Sequence, residues 1–263
     1  MILFRILFFA IKFSYFILSV FIYLLSGTLA HFLIKDFYLK HNLTSQILHY
    51  LSKLGLVIFN VKVKSINYDK HTLKPPLLVV SNHVGFLDVL IIVAKTPCLF
   101  VTSYEIKETP FLGWLTDAAG CLYVERRNRG NIHNEVGNIR NALNLGLNVV
   151  LFPEATSSNG CQVLPFKKSM FVAAANSKAL ILPITLNYTQ IDKRPVTSSN
   201  KDYAFWYGDQ SFFPALIKLF SNFSIDVELT YSEKLKMNHA DDRTPVSIRA
   251  HELISSNYRP ILD

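Results

Sequence analysis

Charged residues are sparse at the start of this chain. From Phe13 to Ile34 there is no Lys, Arg, Asp or Glu, a stretch that meets the roughly 20 apolar residues a membrane-crossing helix needs. Arg5 and Lys12 stand before it, and Lys35, Asp36 and Lys40 follow. Aromatics at Phe8, Phe9, Phe13, Tyr15, Phe16, Phe37 and Tyr38 suit a membrane interface at either end. Three readings fit: a spanning helix, a helix lying in the interface, or a cleaved leader with a small-residue site at Ser26-Gly27-Thr28-Leu29-Ala30. The run exceeds the apolar region of about 7–15 residues usual in a leader, and its flanking charges set no orientation. The division drawn from this pattern is a membrane anchor over 1–40 and an α/β domain over 41–263.

Past the anchor the periodicity changes several times. Ile47, Leu48, Leu51 and Leu54 recur at helical spacing, so Thr44–Leu54 reads as a helix stopped by Gly55. Leu56–Lys64 reads as a strand, Asp69–Pro76 as a loop and Leu77–Ser81 as a second strand. Strands and helices then alternate. Helices are expected at Phe86–Ala94, Phe111–Ala119, Asn131–Leu145 (closed by Gly146) and Ser169–Asn176. Strands are expected at Cys98–Thr102, Cys121–Val124, Val149–Phe152 and Ala179–Leu186. Continuous apolar strands alternating with helices predict an α/β fold: a mainly parallel central sheet flanked by helices, with the membrane-associated helix at its N-terminus. The polar stretch Thr189–Asp202 reads as a surface loop, and the alternating Ile225–Tyr231 as a sheet-edge strand. Val246–Tyr258 reads as a closing amphipathic helix.

Length and composition add to this picture. The 263 residues suffice for one large α/β domain plus an attachment, and half of them are hydrophobic. A net charge of +8, from 27 basic and 19 acidic residues, favours anionic surroundings. No zinc-finger, basic-zipper or aromatic RNA-binding signature accompanies it, so nucleic acid is not an expected partner. Anionic lipid head groups and an acidic carrier protein fit better beside an anchor. Cys98, Cys121 and Cys161 are odd in number and widely spaced, which gives neither a disulfide framework nor a CxxC metal clip. They point to a reducing, cytoplasm-facing domain.

The candidate chemistry lies just past two strands, where open α/β sheets build their sites. Asn82-His83-Val84-Gly85-Phe86-Leu87-Asp88 follows the first. Five positions on an ideal helix turn side chains by about 500°, so His83 and Asp88 meet only if His83 lies in the loop and Asp88 in the helix's opening turns. The carboxylate would then hold one imidazole nitrogen while the other takes a proton. The helix N-terminus would offer N–H groups to an oxyanion or phosphate, with Asn82 fixing the turn. Taken alone, the spacing is equally that of a capped helix with an ordinary polar histidine. The second segment, Phe152-Pro153-Glu154-Ala155-Thr156-Ser157, adds a carboxylate and hydroxyls, with Pro153 stiffening the turn.

Together these segments resemble the glycerophospholipid acyltransferase family, whose type member is 1-acylglycerol-3-phosphate acyltransferase. The resemblance runs from about Leu56 to Tyr231 in four ordered blocks: Asn82, His83 and Asp88; Lys107, Pro110, Gly113, Trp114, Gly120 and Arg126; the Phe152–Ser157 segment; and Leu182-Pro183-Ile184. Pro165-Phe166-Lys167-Lys168-Ser169 connects the last two. The resemblance implies that His83 is the general base, oriented by Asp88. It makes Asn82, Arg126, Glu154, Ala155, Thr156, Ser157 and Lys167 candidates for the acceptor site. It implies transfer of a fatty acyl group from an acyl-carrier-protein or coenzyme A thioester to a lysolipid hydroxyl at a bacterial inner membrane, without metal or other cofactor. Lysophosphatidic acid, giving phosphatidic acid, is the expected acceptor.

Two departures bear on that acceptor. Ala155 stands where the family has Gly, and Ser157 where it has Arg, removing a bidentate phosphate fork. Arg126, Arg127, Lys167 or Lys168 could compensate. Alternatively the acceptor carries no phosphate: the block and Phe205-Trp206-Tyr207-Gly208-Asp209 are similar to the lyso-ornithine lipid acyltransferase branch. Read as structure only, Phe205–Asp209 is a packed aromatic turn and Arg126–Arg129 a solvated loop; Phe111, Leu112, Trp114 and Leu115 either line an acyl tunnel or fill core. Gly-x-Ser-x-Gly, P-loop, Gly-x-Gly-x-x-Gly and His-Glu-x-x-His patterns are absent, which counts against a serine lipase. A catalytically silent membrane scaffold is the non-enzyme alternative.

Overall fold

In the computed structural model, which describes residues 2–69, 71–125 and 132–262, the organising element is strand β2 (Leu77–Ser81), buried at every position. Its side chains alternate between two cores: Leu77 and Val79 enter one, Leu78 and Val80 the other. A strand covered on both faces has no polar alternation to display, as parallel sheets require. Around it run β1 (Val61–Ile66), β3 (Leu99–Ser103), β4 (Leu122–Val124), β5 (Val149–Leu151), β6 (Leu180–Ile191), β7 (Arg194–Pro195) and β8 (Ile225–Tyr231). The order is β1-β8-β6-β2-β5-β3-β4. β6, β2, β5, β3 and β4 are mutually parallel, while β1 and β8 run as a pair against them.

The helices are α1 (Ile2–Leu33), α2 (Phe37–Ile58), α3 (Leu87–Val93), α4 (Tyr104–Lys107), α5 (Leu112–Ala118), α6 (Ile132–Asn144), α7 (Phe212–Ser221) and α8 (Arg243–Asn257). α3 and α7 fill the first core, with α1 and α2 packed against it. α6, α8 and the 3₁₀ helix Lys168–Ala174 fill the second. The expected elements are present over the strand–helix alternation, with boundaries shifted by a residue or two and with Ser169–Asn176 realised as that 3₁₀ turn.

Several expectations fail for identifiable reasons. Gly55 does not end α2. It lies in the helix's buried face, where a Cβ would meet the Tyr15 ring at 3.4 Å, and the helix continues through Ile58 to Asn60 in the left-handed region (φ 53°). Leu56–Ile58 is therefore helix rather than strand. The division at residue 40 falls inside this continuous helix. Ile225–Tyr231 is an interior strand between β1 and β6. Its alternation arises because Glu228 takes Lys64 at 3.3 Å and Arg259 at 2.6 Å, so charges cover one face where a helix covers the other. Thr189–Asp202 is only partly loop: β6 continues to Ile191 and turns back into β7 through Asp192 and Lys193, both at positive φ. α4 and α7 had no sequence expectation.

The apolar helix α1 is docked along the domain. Lys12, expected as a flanking charge, is fully buried. Its ammonium bonds the Asn222 carbonyl, lies 3.5 Å from that of Phe220 and sits 4.4 Å from the Phe8 ring centroid. A cation is thus placed at the C-terminal end of α7, where the helix dipole favours it. Tyr15 hydrogen-bonds the Leu51 carbonyl of α2. Gly27 meets α5 so closely that a Cβ there would sit 2.7 Å from Ala118 backbone, and Ala30 is likewise buried.

Candidate active site

The turn after β2 is held by three long-range anchors. The Asn82 amide donates to the Leu186 carbonyl (3.0 Å) and accepts from the Leu186 N–H (2.9 Å), completing the β2–β6 ladder with a side chain. Glu154 accepts from the His83 N–H at 2.8 Å and from the Leu164 N–H at 2.9 Å. The Ser158 N–H donates to the His83 carbonyl at 2.8 Å. The turn is thus stapled to β6 and to the segment after β5, and loop conformation is left little freedom.

On this frame His83 lies before α3 and Asp88 is the helix's second residue, the placement the spacing requires. His83 Nδ1 is 2.8 Å from Asp88 Oδ2. The same oxygen accepts from the Val84 N–H (2.7 Å) and the Gly85 N–H (3.1 Å). Oδ1 accepts from the Tyr188 hydroxyl at 2.6 Å. Asp88 is fully buried and the His83 side chain partly exposed. An acceptor-only carboxylate makes Nδ1 the donor and leaves Nε2 as the available base. The His83 ring stacks on Phe152 with centroids 4.0 Å apart, which fixes the rotation that the hydrogen bond alone would leave loose. The N–H groups of Val84 and Gly85, in the turn before α3, are spent on Asp88.

Tyr188 is the component that sequence reading missed. It arrives on β6, one hundred positions after Asp88, and only sheet pairing brings it there. Burial, reinforced by Asp88, holds its phenol well above the usual range, so it remains a donor. Burial also pushes the Glu154 carboxyl up to about 7, with Asp88's charge adding to the effect and the two backbone N–H groups opposing it.

A cavity of about 530 Å³ opens on His83, within the range of about 300–1,000 Å³ typical of ligand pockets. Phe152, Ala155, Thr156 and Ser157 line it beside the histidine, and Trp206, Tyr207 and Gly208 also contribute to its wall. The rest is mostly apolar and comes from α1, α2, α3, α5 and α7, with β3 and α4 also contributing: Phe16, Val20, Leu48, Leu90, Phe100 and Leu216 are representative. Leu112 and Leu115 line it, whereas Trp114 is 69% exposed and fills no core. The aromatic turn is both packed and lining: Phe205 is buried against Tyr188, and the Trp206 N–H bonds the Val84 carbonyl at 2.9 Å.

The structure therefore divides the candidate residues. His83, Ala155, Thr156 and Ser157 share the cavity. Asn82 and Glu154 are 2% and 3% exposed, with their polar atoms bonded to backbone behind it. In this structure both side chains hold the turn, as Asn82 was expected to do. Lys167 is exposed, outside the cavity lining, with its N–H on the Pro153 carbonyl at 2.7 Å. Arg126 and Arg127 lie outside the described residues. Ala155 adopts φ 62°, the left-handed conformation that the family's glycine would reach without a Cβ.

A family model described as Acyltransferase matches residues 60–187, spanning β1 to β6 and both segments that meet at His83. The chain belongs to this family. Among curated relatives, a lyso-ornithine lipid O-acyltransferase of Rhizobium meliloti (strain 1021) is 29% identical over 194 residues, 71% of this chain and 65% of that protein. A 1-acyl-sn-glycerol-3-phosphate acyltransferase of Neisseria gonorrhoeae is 35% identical over 127 residues, 48% of this chain and 50% of that protein. The chain thus spans about half to two thirds of the length of these relatives. The crystal structure of the 1-acyl-sn-glycerophosphate acyltransferase of Thermotoga maritima superposes with a TM-score of 0.61 over 96% of this chain and 95% of that one, at 16% identity. That likeness carries the acyltransferase family's fold, including its mostly parallel sheet.

Proposed function

We propose that this protein transfers a fatty acyl group from a thioester to the free hydroxyl of a lysolipid. The observation that carries this reading is the His83–Asp88 pair at 2.8 Å, with His83 lining a largely apolar cavity. Nε2 of His83 takes the proton of the acceptor hydroxyl as its oxygen attacks the thioester carbonyl carbon. Collapse of the tetrahedral intermediate breaks the C–S bond, and the departing thiolate recovers the proton from His83. Ester and thiol result, with no covalent enzyme intermediate. Asp88 holds the tautomer and offsets the imidazolium charge. The cavity takes the donor's hydrocarbon chain. The thioester is supplied by acyl-carrier protein or coenzyme A as co-substrate, and no cofactor is invoked.

Lyso-ornithine lipid is the acceptor we favour. Ser157 and Thr156 put hydroxyls at the mouth where the family pattern has Arg for a phosphate, and several relatives bear the lyso-ornithine name. The second reading, lysophosphatidic acid, draws on the 35% identical relative and would rely on Arg126 or Lys167 for the phosphate. A labelled hexadecanoyl thioester offered with both lysolipids, with products read by mass spectrometry, separates the two. His83→Ala should lower turnover about 100- to 10,000-fold with an unchanged circular dichroism spectrum; retained turnover would remove the assigned base.

The outer face of α1, with Ile17, Leu18, Phe21 and Leu25 about half exposed or more, is the surface we assign to the membrane. Because the opposite face is docked on the domain, the helix lies along the cytoplasmic leaflet rather than crossing it alone.

A further inference from the structure

The wall that α1 and α2 contribute to the cavity is less apolar than a hydrocarbon chain calls for. Tyr23 and Ser52 both line it, at 5% and 3% exposure, and neither side-chain hydroxyl has a hydrogen-bond partner among the described residues. Ser19, also lining, has already returned its hydroxyl to the Phe16 carbonyl. Tyr23 stands near Cys98 and Cys121, which precede β3 and β4. It therefore lies towards the amino ends of the strands, whereas His83 follows the carboxyl end of β2. Buried hydroxyls are almost always bonded, and phenylalanine and alanine would fill these places without leaving orphaned oxygens.

We infer that Tyr23 and Ser52 form a subsite for an oxygen function carried on the acyl chain being transferred, a hydroxyl being the simplest. This rests on the acyl-transfer reading above and specifies its donor. A hydroxyl on the chain can bond either side-chain oxygen as donor or acceptor; a saturated chain leaves both unsatisfied. Sites built to bond a substrate hydroxyl discriminate strongly against the analogue lacking it.

The test compares full-length protein acting on a hexadecanoyl thioester and on hexadecanoyl thioesters bearing one hydroxyl at mid-chain or near the methyl end, with lyso-ornithine lipid and lysophosphatidic acid as acceptors. The expected result is a kcat/KM at least tenfold higher for one hydroxylated donor. Tyr23→Phe should erase that ratio, and Ser52→Ala, a smaller change, should reduce it. Turnover of all donors with a ratio of one or below, unaltered in both variants, overturns the subsite and leaves acyl transfer standing. A preference that follows a hydroxyl on the acceptor's chain overturns it as well. No transfer from any thioester removes the functional reading itself.

Discussion

Two oxygens of Asp88 answer four donors: His83 Nδ1, two backbone N–H groups and the Tyr188 hydroxyl. Asp88→Asn keeps the volume but turns one acceptor into a donor and removes the charge that stabilises an imidazolium. Its kcat should fall about 100-fold or more. Tyr188→Phe deletes one bond to a buried charge, and the melting temperature should drop by an amount equivalent to about 1.5–3 kcal/mol. Glu154 behaves differently because its carboxyl is raised to about 7. The unfolded chain ionises it at its ordinary value, so the folded state holds the proton to higher pH. Its contribution to stability is therefore greatest below the ordinary range, declines as pH rises towards about 7, and is flat beyond; the decline is on the order of 3 kcal/mol. Glu154→Gln forfeits one of two backbone bonds but should lack that decline. Melting curves of both proteins at intervals from pH 4.5 to 8 would reveal it as a converging difference.

At the scale of elements, the cavity exists because short helices are held at close range. A Cβ on Gly113 would lie 2.0 Å from the Lys107 carbonyl oxygen, so α5 can follow α4 only with glycine there. Gly113→Ala must move one helix against the other. It should cost several kcal/mol, as overpacking does at its upper range of about 3 kcal/mol or more, and should disturb the wall formed by Leu112 and Leu115. Reduced stability by urea titration together with altered donor chain preference is the expected result. Lys107 itself is tied to the same pair, 3.6 Å from Asp117 and over the Tyr123 ring at 4.6 Å, contacts too exposed to contribute much.

For the whole molecule, the N-terminal helix is a wall of the cavity as well as the surface we assign to lipid. Its docked face supplies Tyr15, Phe16 and Tyr23 to the cavity, and its outer face is apolar and exposed. Replacing Leu18 and Phe21 with Gln should lower partitioning onto anionic liposomes by tenfold or more, since each such side chain is worth about 1.5–3 kcal/mol on burial. Turnover of detergent-solubilised substrate should persist. Flotation of wild-type and variant protein with liposomes measures the first, and a micellar assay the second.

Periodicity and local polar spacing were enough for the α/β alternation, the apolar helix and the two segments that converge on His83, because each depends on neighbours within a few residues. The Asn82 and Glu154 side chains were found by type, and Asn82 by its turn-fixing role, but not their partners: spacing along the chain carries no information on which backbone, from Leu186 or Leu164, arrives beside a side chain. Tyr188, the interior place of β8 and the closure of the cavity by α1 and α2 were decided by tertiary structure alone. Strand order, register and helix docking join residues a hundred positions or more apart, and no local pattern records such pairings.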